Sequence, residues 1–148
     1  MRGTAQADEI PEMMRDAWHL DAHRGPVPAL LEPPELVSAI FKIPVRELEV
    51  GDEISTAFGK FYVDDLSSSP DHRSILLHTS APGLLSRFGI AVRESGSGAC
   101  EALLLNSVHP SSWLGRIYFR IIEVGHHLVM EISLRRLGRA ARNKGSAA

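Results

Sequence analysis

Apolar residues recur at helical spacing over one long C-terminal stretch, residues 111–141. At about 100° per residue, one side of such a helix is apolar. That side consists of Leu114, Ile117, Tyr118, Ile121, Gly125, Leu128, Val129 and Ile132. The opposite side carries Arg116, Arg120, Glu123, His127, Glu131 and Arg135. The pattern predicts a long amphipathic helix that packs on the rest of the chain through its apolar side.

The preceding part of the chain consists of short runs in which apolar and polar residues alternate, as is typical of β-strands. These runs are residues 45–50, 55–63, 74–80, 87–94 and 99–108, with a weaker one at 14–23. Residues 95–98, Ser-Gly-Ser-Gly, join the last two runs into the clearest hairpin. In its first strand, Phe88, Ile90 and Val92 share one face.

Prolines mark the remaining element boundaries. Pro34 suits the first turn of a helix, because the N–H that proline lacks would be unpaired there, so residues 35–41 are predicted to be a short helix. Its inward residues would be Leu36, Val37 and Ile40, and Pro44 would end it. Pro110, followed by Ser111, predicts the end of the last strand and the start of the long helix.

Strands followed by one long helix indicate an α+β fold, in which an antiparallel sheet is covered on one face by that helix. We expect a flexible N-terminal arm at residues 1–12, a single domain at 13–141 and a flexible tail at 142–148. The chain of 148 residues is long enough to bury a substantial core without a disulfide or a metal.

Composition narrows the class of function. The net charge is −2, which argues against nucleic acid as a partner. The chain has one cysteine and no apolar run of the roughly 20 residues that a membrane helix needs. We therefore expect a cytoplasmic protein with no membrane span. His126 and His127 are adjacent and would diverge on a helix, so no metal site and no cofactor is predicted.

The C-terminal stretch resembles the end of a bacterial family known as domain of unknown function 2867, which looks like a branch of the SRPBCC, or START-like (Bet v 1-like), superfamily. The matching residues are Leu114, Gly115, Arg116, Tyr118, His126, the Leu128-Val129 pair and Leu134-Arg135-Arg136. The resemblance covers residues 45–141. It departs at Val124-Gly125, where the family is expected to have Pro-Phe.

The resemblance implies a helix-grip fold, in which a curved antiparallel sheet wraps the long C-terminal helix and often leaves an apolar cavity. It implies no catalytic residues. We therefore expect a site for a lipid-like or aromatic small molecule between sheet and helix. Its predicted residues are Phe88, Ile90, Asn106, Tyr118, Ile121, Gly125 and His126, with His78 as a further polar group. Gly125 would leave space at the middle of the apolar side.

Two alternatives from other classes remain open. The first is an enzyme resembling polyketide cyclases or aromatases, in which His126 or His78 would act as the base. The second is a domain with a filled core that acts through protein contacts, for example as a homodimer through exposed Phe119 and Met130. The pattern favours binding over catalysis. The absence of a cavity beside the long helix would exclude both and leave the domain that acts through protein contacts.

Overall fold

An antiparallel sheet and two α-helices form the described part of the chain in a computed structural model, which covers residues 2–147, with side chains described for 4–144. The elements in chain order are β1 (Arg2–Gly3), β2 (His19–Val27), α1 (Pro33–Phe41), β3 (Glu53–Thr56), β4 (Gly59–Ser69), β5 (His72–Ala81), β6 (Leu84–Glu94), β7 (Cys100–Pro110) and α2 (Trp113–Ala147). Two short 3-10 turns, Ala7–Glu9 and Glu12–Met14, lie between β1 and β2.

The strands of the described residues form one seven-stranded sheet in the order β1-β2-β7-β6-β5-β4-β3, and every neighbouring pair is antiparallel. The strands from β3 to β7 follow one another as a meander. Strand β2 pairs with the last strand, from His19 opposite Val108 to Val27 opposite Cys100. This sheet packed against a long C-terminal helix is a helix-grip-like α+β architecture, so the predicted fold class is confirmed.

Helix α1 agrees with its prediction. Pro33 and Pro34 occupy its first turn, and Glu35 accepts a hydrogen bond from the Glu32 backbone N–H, which is otherwise unpaired there. Leu36, Val37 and Ile40 are buried, as expected. Other boundaries differ from their predictions. Residues 45–50 form no strand, and the run at 55–63 is divided by a turn at residues 57–58 between β3 and β4.

The N-terminal residues predicted to form a flexible arm are packed on the sheet. Strand β1 pairs with β2, and Ala5 and Ile10 pack against a cluster of Met14, Leu76, Leu103 and Leu105 on the face away from the helices. Residues 142–147, predicted to be a flexible tail, continue α2. Met1 and Ala148, at the two ends of those predicted segments, lie outside the described residues.

The predicted inward side of α2 was wrong. Leu114, Ile121 and Leu128 are 60%, 74% and 61% exposed, and Tyr118 is 48% exposed. The buried side lies roughly 135° away around the helix, so Tyr118 and Val129 of the predicted side lie near its edge. Its residues are Gly115, Phe119, Met130, Ser133, Leu137 and Ala141. Phe119 and Met130, which the homodimer alternative required to be exposed, are therefore core residues, and that interface is excluded.

Helix α2 packs along β2 and β7 and against α1. It reaches the other half of the sheet less closely, and α1 packs there against β4 and β5. The residues that join helices and sheet into the main core include Leu36, Ile75, Ile90, Leu104 and Leu137. No helix in the described range has the length and apolarity needed to cross a bilayer.

Candidate functional site

A cavity of about 410 Å³ lies between the sheet and α2. Helix α2 supplies one wall, through Tyr118, Phe119, Ile122, His126, Val129, Met130, Ile132, Ser133 and Arg136. Strands β4 to β7 and the end of α1 supply the rest, including Phe41, Phe61, Leu84, Phe88, Asn106 and Val108. The exposed side chains of Phe58 and Tyr118 also line it, so the cavity is open to solvent beside these residues.

The alternation of strand residues explains why the sheet wall contains both Phe88 and Asn106. In the register of β6 and β7, Phe88 lies directly opposite Asn106. Successive strand residues point to opposite faces, so Phe88 shares its face with Ile90 and Asn106 shares its face with Leu104. Ile90 and Leu104 both belong to the core beneath the helices. The two cavity residues therefore face α2.

Two buried polar atoms on the cavity wall have no hydrogen-bond partner in the protein. The Asn106 side chain is 2% exposed; its Oδ1 accepts a hydrogen bond from Ser86 Oγ at 3.1 Å, whereas its Nδ2 is unpaired. His126 Nε2 is likewise buried and unpaired. Buried polar atoms are nearly always satisfied in folded proteins. These atoms therefore mark places where a bound molecule or water would complete the hydrogen bonding.

The other polar groups of the α2 wall already have backbone partners. Ser133 Oγ donates to the Val129 carbonyl oxygen at 2.8 Å, and Arg136 Nη1 donates to the Ile40 carbonyl oxygen at 2.7 Å. Among the described residues that line the cavity, Arg136 is the only member of the charged types Asp, Glu, Lys and Arg. The cavity thus contains one fixed positive charge and no carboxylate to oppose it.

Burial favours the neutral form of His126. It lowers the pKa of His126, an effect that the Asp21 carboxylate opposes and that the neighbouring His127, His23 and His19 reinforce. A neutral imidazole ring can offer Nε2 either as a donor or as an acceptor, depending on its tautomer. His126 can therefore bind a neutral ligand group at physiological pH.

The structure brings together four of the seven residues predicted to bind a ligand. Phe88, Asn106, Tyr118 and His126 line the cavity. Ile90 is 1% exposed and lies in the core below it. Ile121 and Gly125 face solvent, and a Cβ placed on Gly125 would meet no atom within 4 Å. The hypothesis that Gly125 leaves space beside the sheet was therefore wrong.

His78, the second candidate base, lies on the opposite face of the sheet. Its neighbour in register, Arg87, donates to the Met13 carbonyl oxygen in the segment packed on that face. His78 Nδ1 is 2.6 Å from Asp64 Oδ1, and the His78 ring stacks on Tyr62. The sheet separates His78 from His126, so the two histidines cannot share one active site.

Histidines also join β2 to α2. His23 Nδ1 is 3.5 Å from Glu131 Oε1, and His23 Nε2 is 3.5 Å from His127 Nδ1. His19 Nε2 is 2.8 Å from Asp21 Oδ2. Within residues 4–144, no three His, Cys, Asp or Glu side chains are placed to hold a metal ion. We interpret these contacts as a polar seam between strand and helix.

The sequence reasoning missed Arg136, Ser133 and Ile122 as cavity residues. Arg136 stands in a basic C-terminal run, where positive charge suits the negative end of the helix dipole, so its charge gives no separate signal of a cavity. A usable signal existed in the spacing of Phe119, His126 and Ser133, which follow one another at intervals of seven residues along one line of the helix. That line is less apolar than the exposed one, so periodicity alone favoured the wrong side.

Comparisons with known proteins found a similar structure but no matching family. No family model matches the chain, and no curated protein matches it. The fold is similar to the 1.88 Å crystal structure of hypothetical protein jhp0584 from Helicobacter pylori, with a TM-score of 0.63 and 8% sequence identity. The match covers 94% of this chain and 98% of that one. At this identity the likeness concerns the fold alone, and the predicted family resemblance remains a prediction.

Proposed function

We propose that the protein binds an amphipathic small molecule in the cavity between the sheet and α2. The observation that carries the proposal is the pair of unpaired polar atoms, Asn106 Nδ2 and His126 Nε2, on an otherwise largely apolar cavity wall. Sites for small molecules combine an apolar lining with a few polar groups that orient the ligand. The volume of about 410 Å³ falls within the range of such sites.

The charge of the cavity favours a ligand with an acidic or strongly hydrogen-bonding head group. Arg136 contributes a positive charge, and none of the described residues that line the cavity is Asp or Glu. A carboxylate head group would approach Arg136, while its apolar body would lie among Phe61, Phe88 and Ile122. The chemical class proposed is therefore an apolar acid, such as a fatty acid or an aromatic acid.

The test compares an acid with the matching alcohol. Dodecanoic acid should raise the melting temperature of the wild-type protein with increasing concentration, because a ligand that binds only the folded state stabilises it. Dodecanol should raise it less. Arg136→Gln should remove the difference between the two compounds, since the substitution removes the charge and keeps a side-chain donor.

A matched pair of variants locates the site. Ser133→Leu places a larger side chain at a buried cavity position, whereas Gly125→Leu places the same side chain in open space on the same helix. Ser133→Leu should abolish the shift caused by dodecanoic acid, and Gly125→Leu should retain it. If neither dodecanoic acid nor naphthoic acid shifts the wild-type melting temperature, the proposal fails.

A further inference from the structure

The side of α2 that faces away from the sheet is apolar over its first half. Its residues, which we name the outer apolar stripe, are Trp113, Leu114, Ile117, Ile121, Val124 and Leu128. Their exposed fractions range from 48% to 82%. The stripe is about 24 Å long at the rise of an α-helix. Soluble proteins rarely leave so large a contiguous apolar patch uncovered, so this face is suited to a partner.

The same face becomes basic over the second half of α2. Leu114, Ile121, Leu128, Arg135 and Arg142 follow one another at intervals of seven residues and so lie along one line of the helix. Arg139 lies beside that line. Arg135, Arg139 and Arg142 are exposed, and none of them takes part in an ion pair among the described side chains. The apolar stripe therefore continues into three unneutralised positive charges.

Arginine and tryptophan also border the apolar half. The Arg116 and Arg120 guanidinium groups lie 5.8 Å and 4.7 Å from the centre of the Trp18 ring, which is 37% exposed. A helix with an apolar face, bordering arginines and tryptophan is typical of segments that lie in the interface of a membrane. Arg120 is paired with Glu123 at 3.0 Å, so the charges that match an anionic surface are those of Arg116 and of the three arginines of the second half.

From this arrangement we infer that the outer face of α2 docks on the surface of an anionic lipid bilayer. The outer apolar stripe would enter the boundary between head groups and acyl chains, and Arg135, Arg139 and Arg142 would reach the lipid phosphates. The helix would lie in the plane of the surface. The inference concerns the side of α2 opposite the sheet and does not depend on a ligand in the cavity.

A second copy of the chain fits the same face less well. If two copies paired their stripes in parallel, Arg135, Arg139 and Arg142 would face the same arginines of the other copy. If they paired antiparallel about Ile121, Arg135 would project past the first residue of the other copy's α2, where the helix dipole is positive. Both arrangements place arginine against positive charge, whereas an anionic bilayer neutralises it.

Vesicle flotation tests the inference on the full chain. Wild-type protein should float with vesicles of phosphatidylcholine containing about one-third phosphatidylglycerol, and much less with phosphatidylcholine alone. Arg139→Gln with Arg142→Gln should lower partitioning to the anionic vesicles roughly twenty-five-fold, at about fivefold for each charge. Ile121→Ser with Leu128→Ser should abolish it. Both pairs of residues are exposed, so circular dichroism should show an unchanged fold.

Matched controls carry similar changes on other surfaces. Val45→Ser removes an apolar side chain that is 61% exposed, and Lys42→Gln removes an exposed charge, both outside α2. These variants should float like the wild type. The inference is overturned if the wild type does not float with anionic vesicles, or if the α2 variants float equally well. It is also overturned if sedimentation velocity shows a lipid-free dimer that Ile121→Ser with Leu128→Ser dissociates, because a second copy then covers the face.

Discussion

At the scale of single residues, His126 connects the cavity with the polar seam between β2 and α2. Its ring packs edge-on against Phe119, at 6.3 Å between ring centres, and its buried Nε2 lacks a protein partner. Protonation would place a positive charge in a buried site, where the cost of desolvation and the nearby His127, His23 and His19 outweigh the attraction of the Asp21 carboxylate and lower the pKa of His126. The fold therefore favours the neutral ring, which is also the form that can accept a hydrogen bond from a ligand.

This arrangement predicts that stability falls under mildly acidic conditions. Burial lowers the pKa of both His126 and His23, and at His23 the Glu131 carboxylate only partly opposes it. An unfolded histidine keeps its ordinary pKa of about 6.5 and so binds protons first as the pH falls. The stability that the two neutral histidines contribute should be fully present above that pKa and decline below it. Urea unfolding at pH 7.5 and pH 5.5 measures the decline.

Substitution of the histidine separates this cause from general acid effects. His126→Gln, which removes the titrating ring, should show a smaller loss of stability between the two pH values than the wild type. His72→Gln serves as the control, since His72 lies at the start of β5 and outside the seam. Equal losses in wild type and His126→Gln would show that folding does not lower the pKa of His126.

At the scale of elements, two glycines in α2 have opposite surroundings. A Cβ at Gly125 would meet no atom within 4 Å, whereas a Cβ at Gly115 would overlap the Gly83 carbonyl oxygen. Gly125→Ala should therefore stabilise the protein by about 1 kcal/mol, the difference in helix propensity between the two residues. Gly115→Ala should destabilise it by roughly 1–3 kcal/mol, because the start of α2 must move away from the β5–β6 turn.

Thermal unfolding of both variants measures the two effects, and each variant is the control for the other. Both variants carry the same substitution in the same helix, with the same expected gain in helix propensity. The difference between their stabilities therefore reports the close contact at Gly83. A destabilising Gly125→Ala would mean that this position is covered, contrary to its exposure in the structure.

Helix α2 also shows where reasoning from periodicity reaches its limit. The pattern predicted a long helix from residue 111, and the helix begins at Trp113. The pattern also assigned the more apolar side to the core, on the usual assumption that apolar residues are buried. The side of α2 that packs on the sheet instead carries Phe119, His126 and Ser133. It combines an aromatic residue with polar and small residues. A face that binds something outside the fold cannot be distinguished from a core face by hydrophobicity alone.

At the scale of the whole molecule, the local pattern predicted the meander but not the pairing of the first long strand, β2, with the last strand, β7. Short apolar runs with short connections identified β5, β6 and β7, although β5 and β7 bury residues on both faces of the sheet. The pairing of β2 with β7 joins residues about 80 positions apart, and no local signal encodes it. Similarly, Phe88, Asn106, Tyr118 and His126 were predicted as site residues, but their convergence depends on which side of α2 meets the sheet.

The packed N-terminal segment shows how a polar stretch can be fixed without an apolar pattern. Arg24 on β2 lies 2.8 Å from Glu9 Oε2 and 2.7 Å from Glu101 Oε1 on β7, and Arg93 on β6 lies 3.4 Å from Glu9 Oε2. Burial alone would raise the pKa of Glu9, but the hydrogen bonds from Arg24 and the Gln6 N–H lower it overall. Glu9 thereby ties the terminal segment to two strands, β2 and β6, and Arg24 connects this pairing to β7.

Replacement of Glu9 tests this connection. Glu9→Ala should cost about 1.5–3 kcal/mol of unfolding free energy, since it removes hydrogen bonds between charged groups and leaves Arg24 with fewer partners. Glu12→Ala, at an exposed position three residues along the same segment, should change stability little. Urea denaturation compares them, and limited proteolysis should cut Glu9→Ala earlier within residues 4–14. If the two variants unfold at the same urea concentration, the ion pairs do not hold the segment, and its apolar contacts with Met14, Leu103 and Leu105 must do so.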